Sequence, residues 1–400
     1  MSFYRNCICA YRRDLIKRCC KGSARGRTMS KDKNFYAFIH LLRAIAPIMV
    51  FWSHLVWWAM YNKAPWVFLG WVWQNITGPL KVYQNFGHLG VAIFFLISGF
   101  IISASIDRET RYDFAVKRVL RIFPALAVAL VIVAIVQSLG LQSRVERPDP
   151  LLPWYEYIRA FFFIDIFTGK TSPLLPVRWS LAPEFLFYAT ACILMTWINK
   201  RAVPAMIGIS LVFTAMTMIG AALPSIAYFG YYTLYIPLFM IGRSFYLYRN
   251  DRIGLTSLAG LTVLFLALIA LAQAVRFPNT EIVFTTPKYL TYLSAVVIFS
   301  LAFAINQKKN SRIVSFYAEI SYSMYLLHLP ILTIMMPILT DFGVDYTIST
   351  LITFSVVTMA SAACFKLIEM PGNRLARRIL RKKTTPVSVT LDPNPLAPAT

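Results

Sequence analysis

The sequence predicts an all-α protein crossing a membrane about ten times, with both termini on the cytoplasmic side. Three observations carry that expectation. Hydrophobic residues make up 58% of the 400 and charged residues only 14%, with a mean hydropathy of +0.59, a balance that soluble globular chains do not have. Apolar runs long enough to span a bilayer recur from about residue 35 to 368. Basic residues alternate between successive connections in the manner of inner and outer loops.

The expected spans are roughly 35–60, 86–106, 119–140, 180–198, 203–222, 225–248, 253–275, 287–305, 313–338 and 346–368. With the N-terminus inside, the inner connections hold Arg108, Arg111, Lys117, Arg118 and Arg121, then Lys200 and Arg201, then Arg243, Arg249 and Arg252, then Lys308, Lys309 and Arg312. The outer ones hold most of the acids, among them Glu146, Asp149, Glu156, Asp165, Asp341 and Asp345. The charge bias is thus positive-inside at each turn. The longest outer segment, 141–178, carries the aromatic patch IRAFFFIDIF, too short to cross and expected to lie at the interface or re-enter.

Three domains follow: a basic tail over 1–33, a transmembrane domain over 34–372, and a basic, then Pro-rich and disordered, tail over 373–400. Met29 offers an alternative start, and no apolar core of a cleaved signal precedes residue 34. The net charge of +23 concentrates in these tails, where anionic lipid at a cytoplasmic surface accounts for it, so nucleic acid is not an expected partner. Of six cysteines, Cys7, Cys9, Cys19 and Cys20 lie in the basic tail and Cys192 and Cys364 in spans. They form no disulfide framework and no metal spacing. No P-loop, G-x-S-x-G or H-E-x-x-H motif is present.

The first span, IHLLRAIAPIMVFWSH, carries Arg43 and His54. They are eleven residues apart, about three helical turns, and so share one face some 16 Å apart along the axis. An arginine in a span should face protein or water, and a histidine titrates near neutrality without help. Snorkelling of Arg43 and an interfacial place for His54 is the blander alternative.

In the second span, Ser98-Gly99 suits either close helix packing or a ligand contact. Arg118 and Arg121, three apart in KRVLRIFPAL, point to one side of a helix and suit a phosphate-bearing ligand at the cytoplasmic surface. The alternative is positive-inside anchoring. Glu184 in PVRWSLAPEFLFYA needs a partner at its depth, and a structural pair with Arg178 is one option. Trp179 and Tyr188 read as interfacial or packing residues. His328, with Tyr322 and Tyr325 on neighbouring turns, reads either as a satisfied polar residue or as part of the site. Glu369 and Arg374 are expected to pair at the cytoplasmic boundary.

Taken in order, LRAIAPIMVFWSH, GVAIFFLISGFII, KRVLRIFPAL, WSLAPEFLFY, ISYSMYLLHLP and LIEMP resemble the acyltransferase-3 family of integral membrane proteins, especially members acting on exopolysaccharide or lipopolysaccharide O-antigen. The resemblance covers about residues 35–375. This chain departs from many members at His40 and Ala92, where they carry acids, and at Pro183, where they carry Val. It looks like the stand-alone type without an appended hydrolase-like domain.

The resemblance implies a multi-pass enzyme of the bacterial inner membrane. It would move an acyl group, commonly acetyl, from acyl-CoA to a sugar hydroxyl of a polysaccharide or its lipid-linked precursor. The implied partners are acyl-CoA, the glycan and membrane lipid, with no bound cofactor and no metal. The implied catalytic residues are His54, Arg43 and Glu184, and the donor-binding ones Arg118, Arg121, Ser98 and Gly99. His328, Tyr325, Tyr322 and Trp179 are expected to hold the acceptor or support the site. Acylation of a small molecule or lipid, and a non-catalytic glycan transporter, remain open alternatives.

Overall fold

The computed structural model describes residues 37–64, 66–79, 86–140, 152–168, 174–277, 288–305 and 310–381. The basic N-terminal tail and the Pro-rich C-terminus lie outside them. The protein is all-α and polytopic. Its helices are α1 Ala37–Tyr61, α2 Val67–Val72, α3 Gly87–Ile106, α4 Arg111–Ser138, α5 Trp154–Phe161, α6 Asp165–Thr168, α7 Leu181–Ile193, α8 Met195–Lys200, α9 Ala202–Ala222, α10 Ala227–Thr233, α11 Ile236–Arg249, α12 Leu255–Arg276, α13 Lys288–Ile305, α14 Arg312–Asp341, α15 Tyr346–Cys364 and α16 Met370–Arg381.

Among the described residues, seven helices are long and apolar enough to cross a membrane, and Leu290–Ile305 is a shorter apolar one. The expected spans at 180–198 and 225–248 are broken instead. The first is a 3₁₀ turn, Pro176–Ser180, followed by α7 and α8. At 13 residues, α7 rises only about 20 Å, short of a bilayer core. The second splits into α10 and α11 at Leu234–Tyr235, where Pro237 has no N–H to donate to the carbonyl of Thr233. The last span also runs on past residue 368, through a π-turn at Phe365–Glu369 into α16.

Helix starts follow side-chain chemistry. Thr110, Ser311 and Asp345 accept from the backbone N–H groups of Asp113, Val314, and Thr347 with Ile348, capping α4, α14 and α15. The core centres on α3, which packs against α1, α11 and α13, while α14 packs against α1 and α15. Backbones touch where α3 crosses α11. A Cβ on Gly99 would lie 1.9 Å from the Phe239 carbonyl oxygen, and one on Gly242 would lie 2.1 Å from that of Leu96. Small residues permit that approach in the absence of a hydrophobic drive between helices in lipid.

On the other side, Pro124 in α4 cannot donate to the Leu120 carbonyl. Gly372 of α16 sits over that oxygen, where a Cβ would come to 2.7 Å. The aromatic patch forms α5 and α6, too short to span, with Phe163 and Asp165 buried and Trp154, Phe162 and Phe167 exposed.

Candidate functional site

A narrow cavity of about 70 Å³ opens between α1, α3, α4, α7 and α14, lined by Arg43, Ser98, Arg118, Arg121, Glu184 and Tyr322 among others. Three helices distant in sequence, α1, α4 and α7, thus bring three guanidiniums and a carboxylate to one space. Arg43, Arg118 and Glu184 are each held by a hydroxyl. The Arg43 Nη2 donates to Ser321 Oγ at 3.1 Å, and Ser321 passes its own proton to the Ala318 carbonyl at 2.9 Å. Pro47 has no N–H to give the Arg43 carbonyl, so the helical ladder of α1 is interrupted at the same turn.

Glu184 does not pair with Arg178. One carboxylate oxygen accepts from Ser98 Oγ at 3.0 Å and from the Tyr188 hydroxyl. Arg178 instead makes a buried fork with Asp165, at 3.0 and 2.5 Å, because the 3₁₀ turn carries it towards α6 and away from the cavity. Tyr188 is therefore a site residue rather than a packing one. Its position four residues after Glu184 puts both on one helix face, a signal the sequence contained.

Arg118 and Arg121 line the cavity together, as their spacing of three predicts. Arg118 is not displayed at an open surface. Its Nη2 donates to Ser105 Oγ at 2.7 Å, and its guanidinium lies over the rings of Phe114 and Tyr188 at 5.3 and 5.7 Å. Its Nε is buried without a partner.

The residues expected as one cluster divide into two. His54 is not on the cavity wall. It faces His328 of α14, with ring centroids 5.2 Å apart. His328 is fully buried, and its Nδ1 is 3.1 Å from the Met324 carbonyl oxygen. A carbonyl only accepts, so Nδ1 carries the proton and Nε2 presents a lone pair. That Nε2 is buried without a partner.

Tyr325 joins the two groups. It lines the cavity, and its ring centroid is 5.9 Å from that of His328. Its hydroxyl is fixed by Ser180 at 2.6 Å and the Val177 carbonyl at 2.8 Å. The Tyr322 hydroxyl donates to the Ile122 carbonyl at 3.0 Å, tying α14 to α4 beside Arg121.

Gly99 lies against the Phe239 backbone and serves helix packing, not ligand contact, because it faces α11 while Ser98 faces the cavity. Trp179 lies among His88, Tyr231 and Tyr235, with centroids 5.4 to 6.1 Å apart, away from the cavity wall. Glu369 does not bond Arg374. It is buried and accepts from the backbone N–H of Ser323 at 3.1 Å and from its hydroxyl, since the π-turn swings it towards α14. Among the described residues no group of three or more metal-ligating side chains occurs.

A family profile described as an acyltransferase domain matches residues 36–368. Nodulation protein 10 of Rhizobium leguminosarum bv. viciae is 32% identical over 173 residues, or 39% of this chain and 43% of that protein. The similarity thus spans under half the length of that relative. No solved structure matches.

Proposed function

The chain belongs to the acyltransferase-3 family, and from that premise we propose that it is a membrane O-acyltransferase. In this reading it moves an acyl group, with acetyl the one expected, from acyl-CoA to a hydroxyl of an envelope or secreted glycan or its lipid-linked precursor. The setting would be a bacterial cytoplasmic membrane. The observation that carries the reading is the cavity where Arg43, Arg118, Arg121 and Glu184 converge, with the paired imidazoles of His54 and His328 beyond it.

Arg118 and Arg121 supply the charge to hold CoA phosphates, because guanidiniums make bidentate bonds to them. A cavity of about 70 Å³ admits water rather than a pantetheine arm, so donor entry goes with parting of α4 from α14. In the reaction, the acceptor hydroxyl oxygen attacks the thioester carbonyl carbon and its proton passes to His54 as general base. The His328 Nε2 lone pair, unpartnered at rest, is available to accept from the neighbouring His54 ring once that ring carries the proton. Arg43, anchored on Ser321 about three helical turns from His54, orients the donor within the cavity. Collapse breaks the C–S bond, and the CoA thiolate takes the proton back from the His54 imidazolium. Glu184, fixed by Ser98 and Tyr188, orients substrate within the cavity.

The test is transfer of label from radiolabelled acetyl-CoA to glycan in membranes holding the full chain, with His54→Ala in parallel. Transfer that disappears in His54→Ala, with the variant folded in the membrane, supports the reading. Undiminished transfer by His54→Ala removes His54 from the chemistry, and absence of CoA binding sinks the transferase reading.

A further inference from the structure

One helical segment touches both α14 and α4. α15, the π-turn and α16 run on as a single helix of 36 residues, Tyr346–Arg381. Glu369, the last residue of the π-turn, accepts from the N–H and the hydroxyl of Ser323 on α14. One turn further, Gly372 lies over the Leu120 carbonyl of α4, and Leu120 stands between Arg118 and Arg121 in the chain. The segment therefore straps α14 to α4, the two helices whose parting admits the donor.

The end of the strap, α16, has three faces. Gly372 and Ala376 are buried on the side that packs against α4. Arg374, Arg377, Arg378 and Arg381 fall at i, i+3, i+4 and i+7, one helical stripe, and all four are exposed. Leu375 lies between the two faces and is 48% exposed, while Leu367, just before α16, is 71% exposed. A basic stripe beside an apolar flank is the pattern of a helix at a lipid headgroup layer. Its depth agrees. The 19 residues of α15 and the 5 of the π-turn rise about 36 Å, against a hydrocarbon core of about 30 Å. With Asp345 at the outer end, α16 begins among the inner headgroups.

The stripe carries charge without counter-charge. α16 contains no acidic residue, and Glu369, the nearest acid in sequence, is committed to Ser323. The ion pairs among the described residues engage Lys117, Arg159, Arg178 and Arg252, and none of them includes Arg374, Arg377 or Arg378. Arg377 donates its Nε–H to the Asn373 carbonyl at 3.3 Å, which leaves its terminal nitrogens for another acceptor. Arginines three and four apart on one face repel each other. α16 is thus a helix strained by its own charge, and a fixed layer of anions would order it.

We infer that α16 docks on the phosphates of acidic phospholipids in the cytoplasmic leaflet, and that this docking keeps it folded as a latch across α14 and α4. Guanidiniums bond phosphate oxygens bidentately, and an acidic leaflet presents phosphates at the depth of the stripe. The docking stands on the geometry of α16. Its meaning as a latch on donor entry rests on the transferase reading.

The test is hydrogen–deuterium exchange read by mass spectrometry, on the full chain in nanodiscs of phosphatidylcholine alone or with one-third phosphatidylglycerol. An acidic surface favours each nearby Lys or Arg by about fivefold, so exchange over residues 372–381 should slow by about tenfold or more with phosphatidylglycerol. The amides of Arg121, Ile122 and Phe123 on α4 should slow with it, through the contact at Leu120. The combined Arg374→Gln, Arg377→Gln and Arg378→Gln variant should lose both effects, whereas Lys at the same three positions should retain them. Unchanged exchange in α3 reports that the variants are folded. Equal exchange in the two bilayers, or slowing that the Gln variant keeps, overturns the inference. Equal slowing in neutral nanodiscs given inorganic phosphate also overturns it, and makes the stripe a site for soluble anions. Slowing at α16 with none at α4 overturns the latch. Acetyl-CoA turnover on the same nanodiscs reports separately. Turnover without lipid-dependent exchange sinks this inference alone, and lipid-dependent exchange without turnover sinks the transferase reading alone.

Discussion

At the scale of single residues, protonation and anchoring decide the chemistry. The Met324 carbonyl fixes the His328 tautomer, so the free lone pair sits on Nε2, the atom left unpartnered. His328→Gln removes that basic nitrogen, and positioned acid–base partners contribute about 10²–10⁴ in rate. Turnover should fall at least tenfold with the donor KM within twofold, measured as initial rates against acetyl-CoA concentration. Unchanged turnover would make His328 a packing residue. For the donor, replacing both Arg118 and Arg121 with Gln removes two charge-assisted contacts of about 1.5–3 kcal/mol each. The donor KM should rise at least tenfold while acceptor dependence holds, and a flat donor dependence would leave these residues as membrane-charge anchors. The spacing of Arg118, Arg121, Arg43 and His54 was legible because helical periodicity alone sets it. Ser321 and Ser105, which hold two of those arginines, were not, since serines are common in spans and only tertiary contact singles them out.

At the scale of elements, the α3–α11 crossing and the cap formed by α5 and α6 carry the structural burden. Gly99→Ala puts a methyl 1.9 Å from a backbone oxygen, and neither backbone can retreat without parting the two helices. The detergent-solubilised protein should lose several degrees of thermal midpoint, and an unchanged midpoint would show that the crossing is looser than its geometry. The Arg178–Asp165 fork is buried on both sides, at 6% and 3% side-chain exposure. Removing one partner strands a buried charge at a cost of about 3–5 kcal/mol, whereas a well-packed apolar pair is often neutral. Asp165→Ala should therefore lower the midpoint more than the double change Arg178→Met with Asp165→Leu, and the reverse order would deny the fork its role. The sequence offered Glu184 as an alternative partner for Arg178 because both lie in one motif. The 3₁₀ turn between them, invisible to helical periodicity, sends Arg178 the other way.

At the scale of the whole molecule, two cavities open at opposite ends of α1, one lined by Arg43 and a cleft of about 410 Å³ lined by Asn62 and Asp345, and the charge pattern assigns each end a side. The connection at Asn310 lies beside Lys308, Lys309 and Arg312, and that at Gly343 between Asp341 and Asp345. In a chain stripped of native cysteines, a cysteine at Gly343 should react with an impermeant maleimide added outside spheroplasts, and one at Asn310 only after permeabilisation. The opposite labelling would invert the topology and place the 410 Å³ cleft on the cytoplasmic side.

By itself the sequence determined the all-α polytopic class, the family and most of the helical segments, but not that Asp165, Arg243 and Glu369 are buried. The former rest on local hydropathy and on the cost of placing charge in lipid, both readable one segment at a time. Only the tertiary structure decided that the site is divided, with guanidiniums and Glu184 in one cavity and the imidazoles beyond Tyr325. It also decided that Gly99 packs, that Glu369 bonds Ser323, and that spans four and six break. Each of these depends on which helices meet and at what height. That is fixed by close packing between segments far apart in the chain, which no local pattern encodes.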